Sequence, residues 1–180
     1  MTAPPGRATI QLGYLAPDLD AACHALHELL GIGPFLRIAP RPRHRVRHRG
    51  RPLDGELVTE AALAQSGDVM IEVLRQVSDV PSAYRDMFEA HESGLHHAAV
   101  WSDDYAADLR RHAAAGHEIA MEMDVREGLT VGYVDTRASL GHMIELLPRD
   151  PSIEALFALV RREAEDWDGR DLVRPMPPRG

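Results

Sequence analysis

The sequence predicts an α+β fold in which one βαβββ module occurs twice. Three observations carry that expectation. The stretches "QLGYLAPDLDAA" (11–22) and "HAAVWSDDYAAD" (97–108) share a plan: a short apolar run, then Pro-Asp or Asp-Asp, then helical periodicity. The stretches "GDVMIEVLR" (67–75) and "LGHMIELLP" (140–148) each set one glutamate inside an apolar strand. Between its helix and its last strand, each copy has room for two further strands.

The first copy opens with an apolar strand around Gln11. Its helix repeats Leu19, Ala22, Leu26, Leu29 and Leu30 at helical spacing, with Asp18 as N-cap and Gly31 as stop. Residues 35–39 and 56–63 are the expected middle strands, and 67–75 the last. Residues 81–91 read as a short linking helix bearing Tyr84, Met87 and Phe88. In the second copy the strand from His97 leads into a helix with Tyr105, Leu109 and Ala113, between Asp104 and Gly116. Strands at 119–124, 130–134 and 140–148 complete it. Residues 152–165 form a terminal helix with Ile153, Leu156, Phe157 and Val160 on one stripe, and the tail "RPMPPRG" is expected to fray. The expected units are 8–75 (first module), 76–93 (linker), 94–148 (second module) and 149–180 (terminal helix and tail).

Composition narrows the function. The 180 residues are 44% apolar and 27% charged with net charge −8, enough for one sizeable core or two small modules sharing one. No run approaches the roughly 18–20 apolar residues of a membrane span, and the start lacks the apolar segment of a signal peptide, so a cytoplasmic protein is expected. A lone Cys23, inside the first helix, excludes an internal disulfide and a multi-cysteine metal site. All 20 residues of the Lys and Arg class are arginine, which excludes Schiff-base chemistry and a lysine base. The acidic balance argues against nucleic-acid binding.

Four polar residues stand where apolar ones belong: Gln11 and Glu72 in the first copy, His97 and Glu145 in the second. Taken singly each is ordinary. A strand glutamate often reaches solvent at an edge, and a lone histidine is usually hydrogen-bonded and structural. Matched positions in a repeat ask for a shared explanation, because burying two carboxylates without partners is costly. One divalent metal supplies it, since imidazole, amide oxygen and two carboxylates suit Zn, Ni, Co, Mn or Fe. Alternation puts Gln11, Gly13 and Leu15 on one strand face and His97, Ala99 and Trp101 on another. Gly13 is expected to leave the space beside the ligand unfilled. His96, one residue earlier, should point to the opposite face and be structural.

With "IQLGYLAPDLDAACHALHELLGIGPF", "GDVMIEVL", "GLHHAAVWSDD" and "GYVDTRASLGHMIELLP" in view, residues 8–148 resemble the vicinal oxygen chelate superfamily. Glyoxalase-like and methylmalonyl-CoA epimerase-like members look most similar. The resemblance implies two βαβββ modules forming an open, barrel-like mixed sheet with helices outside, around one divalent ion. Its ligands would fall on Gln11, Glu72, His97 and Glu145. It further implies an isomerase, epimerase or lyase that abstracts a proton next to a metal-bound carbonyl, with Glu145 first and Glu72 second as base. Two other readings stay open: a metal-free, antibiotic-type binding protein, and an iron-dependent ring-cleaving dioxygenase. The latter is weakened by Gln11 and by a second carboxylate.

Trp101 and Tyr133 are candidate substrate-binding residues, although a core role is the plainer one for each, and His142 is the candidate at the cavity rim. The stretch "RPRHRVRHRGR" (41–51) carries six arginines at alternate positions. It reads either as an anion clamp or as a mobile, solvated loop, and its prolines, glycine and like charges favour the loop. The expected partner is a small molecule, with anionic compounds and acyl-CoA among the options. Neither nucleic acid nor membrane is expected, and a homodimer through the terminal helix is the candidate assembly.

Overall fold

The computed structural model of the chain describes residues 6–177. Its first half runs β1 (Thr9–Leu15), α1 (Leu19–Leu30), β2 (Phe35–Pro42), β3 (His44–His48), β4 (Arg51–Pro52), β5 (Val58–Ser66) and β6 (Val69–Gln76). The second runs β7 (Gly94–Ser102), α2 (Tyr105–Ala114), β8 (Ile119–Arg126), β9 (Leu129–Val134), α3 (Arg137–Leu140) and β10 (Met143–Pro148). Then come α4 (Pro151–Glu165) and β11 (Val173–Pro175). Local signals set the main helices. The Asp18 carboxylate accepts from Ala21 N–H and the Asp104 carboxylate from Ala107 N–H, satisfying donors that the first helical turn leaves open. Gly31 ends α1 at φ 69°, a left-handed conformation that suits glycine.

All eleven strands join one mixed sheet, in the order β11-β2-β5-β6-β1-β7-β10-β9-β8-β3-β4. At its centre β1 and β7 run antiparallel, and each pairs parallel with the last strand of its own half, β6 or β10. This is the α+β architecture expected from the repeat. β2 and β3 lie near opposite ends of that order, yet only Arg43 separates them in the chain. The sheet therefore curls until its ends approach, and chain continuity closes the seam. The barrel stays open.

Helices cover the sheet by parity. α1 packs Leu19 and Cys23 on Ala62, Ala64, Ile71 and Val73, while α2 packs Tyr105 and Leu109 on Val100, Val134 and Leu146. α4 packs Val160, Leu156 and Phe157 with Leu36, Leu63 and Met70. Successive strand residues point to opposite faces, so α1 and α4 take opposite sides of β5 and β6. α1 and α2 lie outside; α4 lies on the concave side.

Four expectations need correction. Residues 81–91 form turns rather than a helix: Ser82 Oγ donates to Gln76 Oε1 at 2.6 Å and accepts from Arg85 N–H, a local alternative to the helical ladder. Residues 41–51 are ordered as the end of β2, then β3 and β4, because β3 finds a partner in β8 of the other half. The tail residues 174 and 175 belong to β11, which pairs with β2, and residues 178–180 lie outside the described chain. Leu29 and Leu30 are exposed, since α1 runs on past the sheet it covers. The apolar stripe of α4 packs on Leu36, Leu63 and Met70. Among the described residues no helix is long and apolar enough to cross a membrane.

Candidate functional site

The four central strands, β6-β1-β7-β10, bring the predicted ligands to one face. Gly13 is paired with Glu72 on one side and with His97 on the other. Two residues back, Gln11 is paired with Ala99, which in turn neighbours Glu145. Steps of two keep all four side chains on the concave face. His97 Nε2 stands 3.5 Å from Glu72 Oε2 and 3.3 Å from Glu145 Oε2. Gln11, His97 and Glu145 are buried and Glu72 partly so.

The space beside Gly13 is filled, contrary to expectation. A Cβ there would lie 1.9 Å from His97 Cε1, so the imidazole occupies the volume a side chain would need.

His96 also departs from expectation. The β1–β7 register jumps from Gly13↔His97 to Tyr14↔Leu95, leaving His96 as the extra residue of a bulge. A bulge re-aims side chains, and here it brings two consecutive imidazoles into contact. His96 Nδ1 lies 3.0 Å from His97 Nδ1, and His96 Nε2 lies 3.1 Å from the Ala83 carbonyl oxygen. A carbonyl can only accept, so His96 Nε2 carries the proton. Burial, reinforced by His97, pushes the His96 pKa down to about 3, which keeps its Nδ1 bare. His97 Nδ1–H must then donate to it, and His97 Nε2 is turned towards the two carboxylates.

The electrostatics of this group are unbalanced. Burial pushes the His97 pKa down, but Glu145 and then Glu72 outweigh it and hold the imidazole above its ordinary value. Burial raises Glu72, with Glu145 adding to the rise; His97, Arg43 and Arg41 oppose it. His97 Nε2 is buried without a hydrogen-bond partner. A divalent cation would satisfy that nitrogen and both carboxylates together. A tetrahedral ion with bonds of about 2.1 Å spaces its donors about 3.4 Å apart, close to the separations seen. Among the described residues no three His, Cys, Asp or Glu side chains already close around one point as a finished metal site.

A cavity of about 120 Å³ opens over this face, lined by Gln11, Glu72 and Glu145, with Tyr133 and Tyr84 beside them. The two phenol oxygens are 3.2 Å apart, and burial pushes both phenols well above their ordinary pKa, so both stay protonated. Leu156 and Phe157 of α4 form part of the apolar wall.

Over residues 10–133 the sequence matches the Glyoxalase/Bleomycin resistance protein/Dioxygenase superfamily. The chain belongs to this superfamily. Among solved structures, methylmalonyl-CoA epimerase from Mycobacterium tuberculosis is 16% identical, with 81% of this chain and 90% of that chain covered at a TM-score of 0.52. A hypothetical protein from Bacillus halodurans C-125 is 14% identical, with 81% and 96% covered and a TM-score of 0.55. Both are likenesses of fold. No curated protein matches the chain by sequence.

Against this superfamily fold the remaining predicted residues separate. Tyr133 lines the cavity. Trp101 does not; it packs on Phe157 at 5.1 Å between ring centres and lies under the Arg149 guanidinium. His142 sits outside the lining as well, with its Nδ1–H directed to the Met143 carbonyl at 2.9 Å. Sequence reasoning missed Tyr84, because it sits in the stretch misread as a linking helix, and it missed the contact between His96 and His97. The doubled histidine was visible, but the bulge that joins the two rings depends on the facing strand.

Proposed function

We propose that the chain is a metal-dependent enzyme of the vicinal oxygen chelate type, an isomerase, epimerase or lyase acting on a small molecule in the cytoplasm. The observation that carries this reading is His97 Nε2, buried without a hydrogen-bond partner between two carboxylates that line a cavity. Gln11, Glu72, His97 and Glu145 would hold the ion. When bound, a divalent ion of the Zn, Ni, Co, Mn or Fe group supplies Lewis-acid stabilisation of negative charge developing on a substrate oxygen.

The chain's own residues supply the rest. Glu145 takes the proton from the carbon next to the substrate carbonyl, with Glu72 as the alternative base on the facing side. A buried carboxylate with a raised pKa is a stronger base than one in water, and burial acts on Glu72 in that sense. Tyr133 and Tyr84, held protonated, present hydroxyls to a polar group of the substrate. The apolar wall and α4 exclude water from the reacting carbon.

The test is the metal content of protein purified without chelator, wild type beside Glu145→Ala. Wild type is expected to retain a stoichiometric divalent ion that the variant loses. Wild-type protein without such an ion, or a variant that holds it equally well, would end this reading. Incubation with a panel of carbonyl carbon acids in D₂O then separates enzyme from binding protein, since only an enzyme washes deuterium into its substrate.

A further inference from the structure

The cavity over Glu72 and Glu145 takes one of its walls from a helix outside the repeat. α4 lies beyond residues 10–133, which carry the superfamily match, so its wall is an addition to the matched core. Ile153, Leu156 and Phe157 line the cavity from the helix, and Gln11, Glu72 and Glu145 line it from the sheet. Phe157 touches both halves of the chain. It packs with Leu36, Leu63 and Met70 of the first and meets the Trp101 ring of the second at 5.1 Å.

The helix is tied to the sheet at both ends. Arg126 of β8 reaches Asp150, the N-cap of α4, at 2.9 Å. Arg149 pairs with Asp103 at 2.9 Å while lying over the Trp101 ring. At the far end Glu163 pairs at 2.6 Å with Arg174 of β11, the strand that extends the sheet beyond β2. Exposed ion pairs contribute little each; the buried Ile153 and Val160 supply most of the adhesion. A wall so fixed limits what the cavity admits. The volume left, about 120 Å³, is well under the roughly 300–1,000 Å³ of ordinary small-molecule pockets. An apolar cavity of about 150 Å³ takes a benzene-sized guest, so about six non-hydrogen atoms fit here.

We propose that Phe157, with Leu156 beside it, is the specificity-determining residue of this site. It limits the part of the substrate that reaches Glu72 and Glu145 to a compact carbonyl group of about six non-hydrogen atoms, and it shuts out longer acyl chains. The acids supply the chemistry and the ring supplies the limit. Rejection needs no charge, since a methylene that a packed apolar wall cannot admit costs about tenfold or more in binding. The proposal rests on the enzyme reading only for what happens to the carbonyl; the limit on size stands on α4.

The test titrates full-length protein, before and after treatment with chelator, with 2-pentanone, which matches the limit, and with 2-nonanone, which exceeds it. Binding is followed by NMR chemical shifts. Wild type is expected to bind 2-pentanone saturably, with shifts centred on cavity residues such as Leu63 and Tyr133. It should bind 2-nonanone about tenfold more weakly or not at all. Phe157→Ala should reverse that order, because removing the ring extends the cavity towards Trp101. Leu156→Ala, which keeps the contact with Trp101, should move the ratio in the same direction and serves if the first variant fails to fold. Leu159→Ala, on α4 but outside the cavity lining, should leave the ratio unchanged. Equal binding of the two ketones by wild type, a ratio that neither wall variant changes, or no saturable binding of either ketone would overturn the proposal. Size selection in a protein that takes up no metal would uphold it and sink the enzyme reading; metal uptake without size selection would do the reverse.

Discussion

Gly13 and the His97 imidazole share one volume at the centre of the sheet, so each residue constrains the other. Gly13→Ala would drive a methyl group into the ring at 1.9 Å. The expected result is about 2–3 kcal/mol of destabilisation in urea unfolding, in the range of overpacked cores, together with loss of the proposed metal ion. His96 acts on the same imidazole from behind. Changing His96→Phe keeps a ring against Tyr84 and Tyr133 but removes the acceptor for His97 Nδ1–H. Metal affinity should fall about 10–100-fold, as when other outer partners of ligating histidines are removed; competition with a chromophoric chelator would measure it. Sequence told His97 from His96 because Gln11 occupies the matching place in the first copy. The contact between the two rings stayed hidden, since a bulge depends on the register of two strands some eighty residues apart.

Among the elements, α1 and α2 were legible because each carries its own start signal, Asp18 or Asp104, and an apolar stripe. β3 was not. Its arginines and the following Arg49 repel one another in sequence, and the acids that answer them, Asp124 for Arg45 and Asp86, Glu118 and Asp135 for Arg49, are scattered through the rest of the chain. Its alternation also fails, because Arg45 adopts φ 50° and the register with β8 shifts between His44 and Arg47. Arg49→Met would leave Asp86 and Asp135 without their shared cation. A loss of about 2–3 kcal/mol is expected, the scale of a hydrogen bond to a charged group. The same ion pairs set an acid limit. Arg137 first, and then Arg49 against the effect of burial, hold Asp135 well below the usual carboxylate range. A depressed carboxylate contributes stability above its unfolded pKa and loses it as pH falls through the folded one. The urea midpoint should therefore be insensitive to this group above about pH 5 and drop below about pH 4. In Arg49→Met that drop should be shallower.

Over the whole molecule, the repeat made the two halves legible and left their joining unread. Nothing local announces that β2 and β3, one residue apart, run to opposite ends of an eleven-stranded sheet. Nor does the stripe of α4 say which face it will cover; Leu63 and Met70 decide that, by pointing inward beside Glu72. The seam at Arg43 has a further consequence, in time rather than in space. The pairing of Arg47 with Glu122 must close a long loop before it returns any free energy. Each half can assemble its own parallel pair first, so the seam should be sewn after the rate-limiting barrier. Substitutions there would then act on one limb of the chevron only. In stopped-flow experiments Arg49→Met should unfold faster than wild type and refold at the wild-type rate; a slowed refolding limb would place the seam in the folding nucleus.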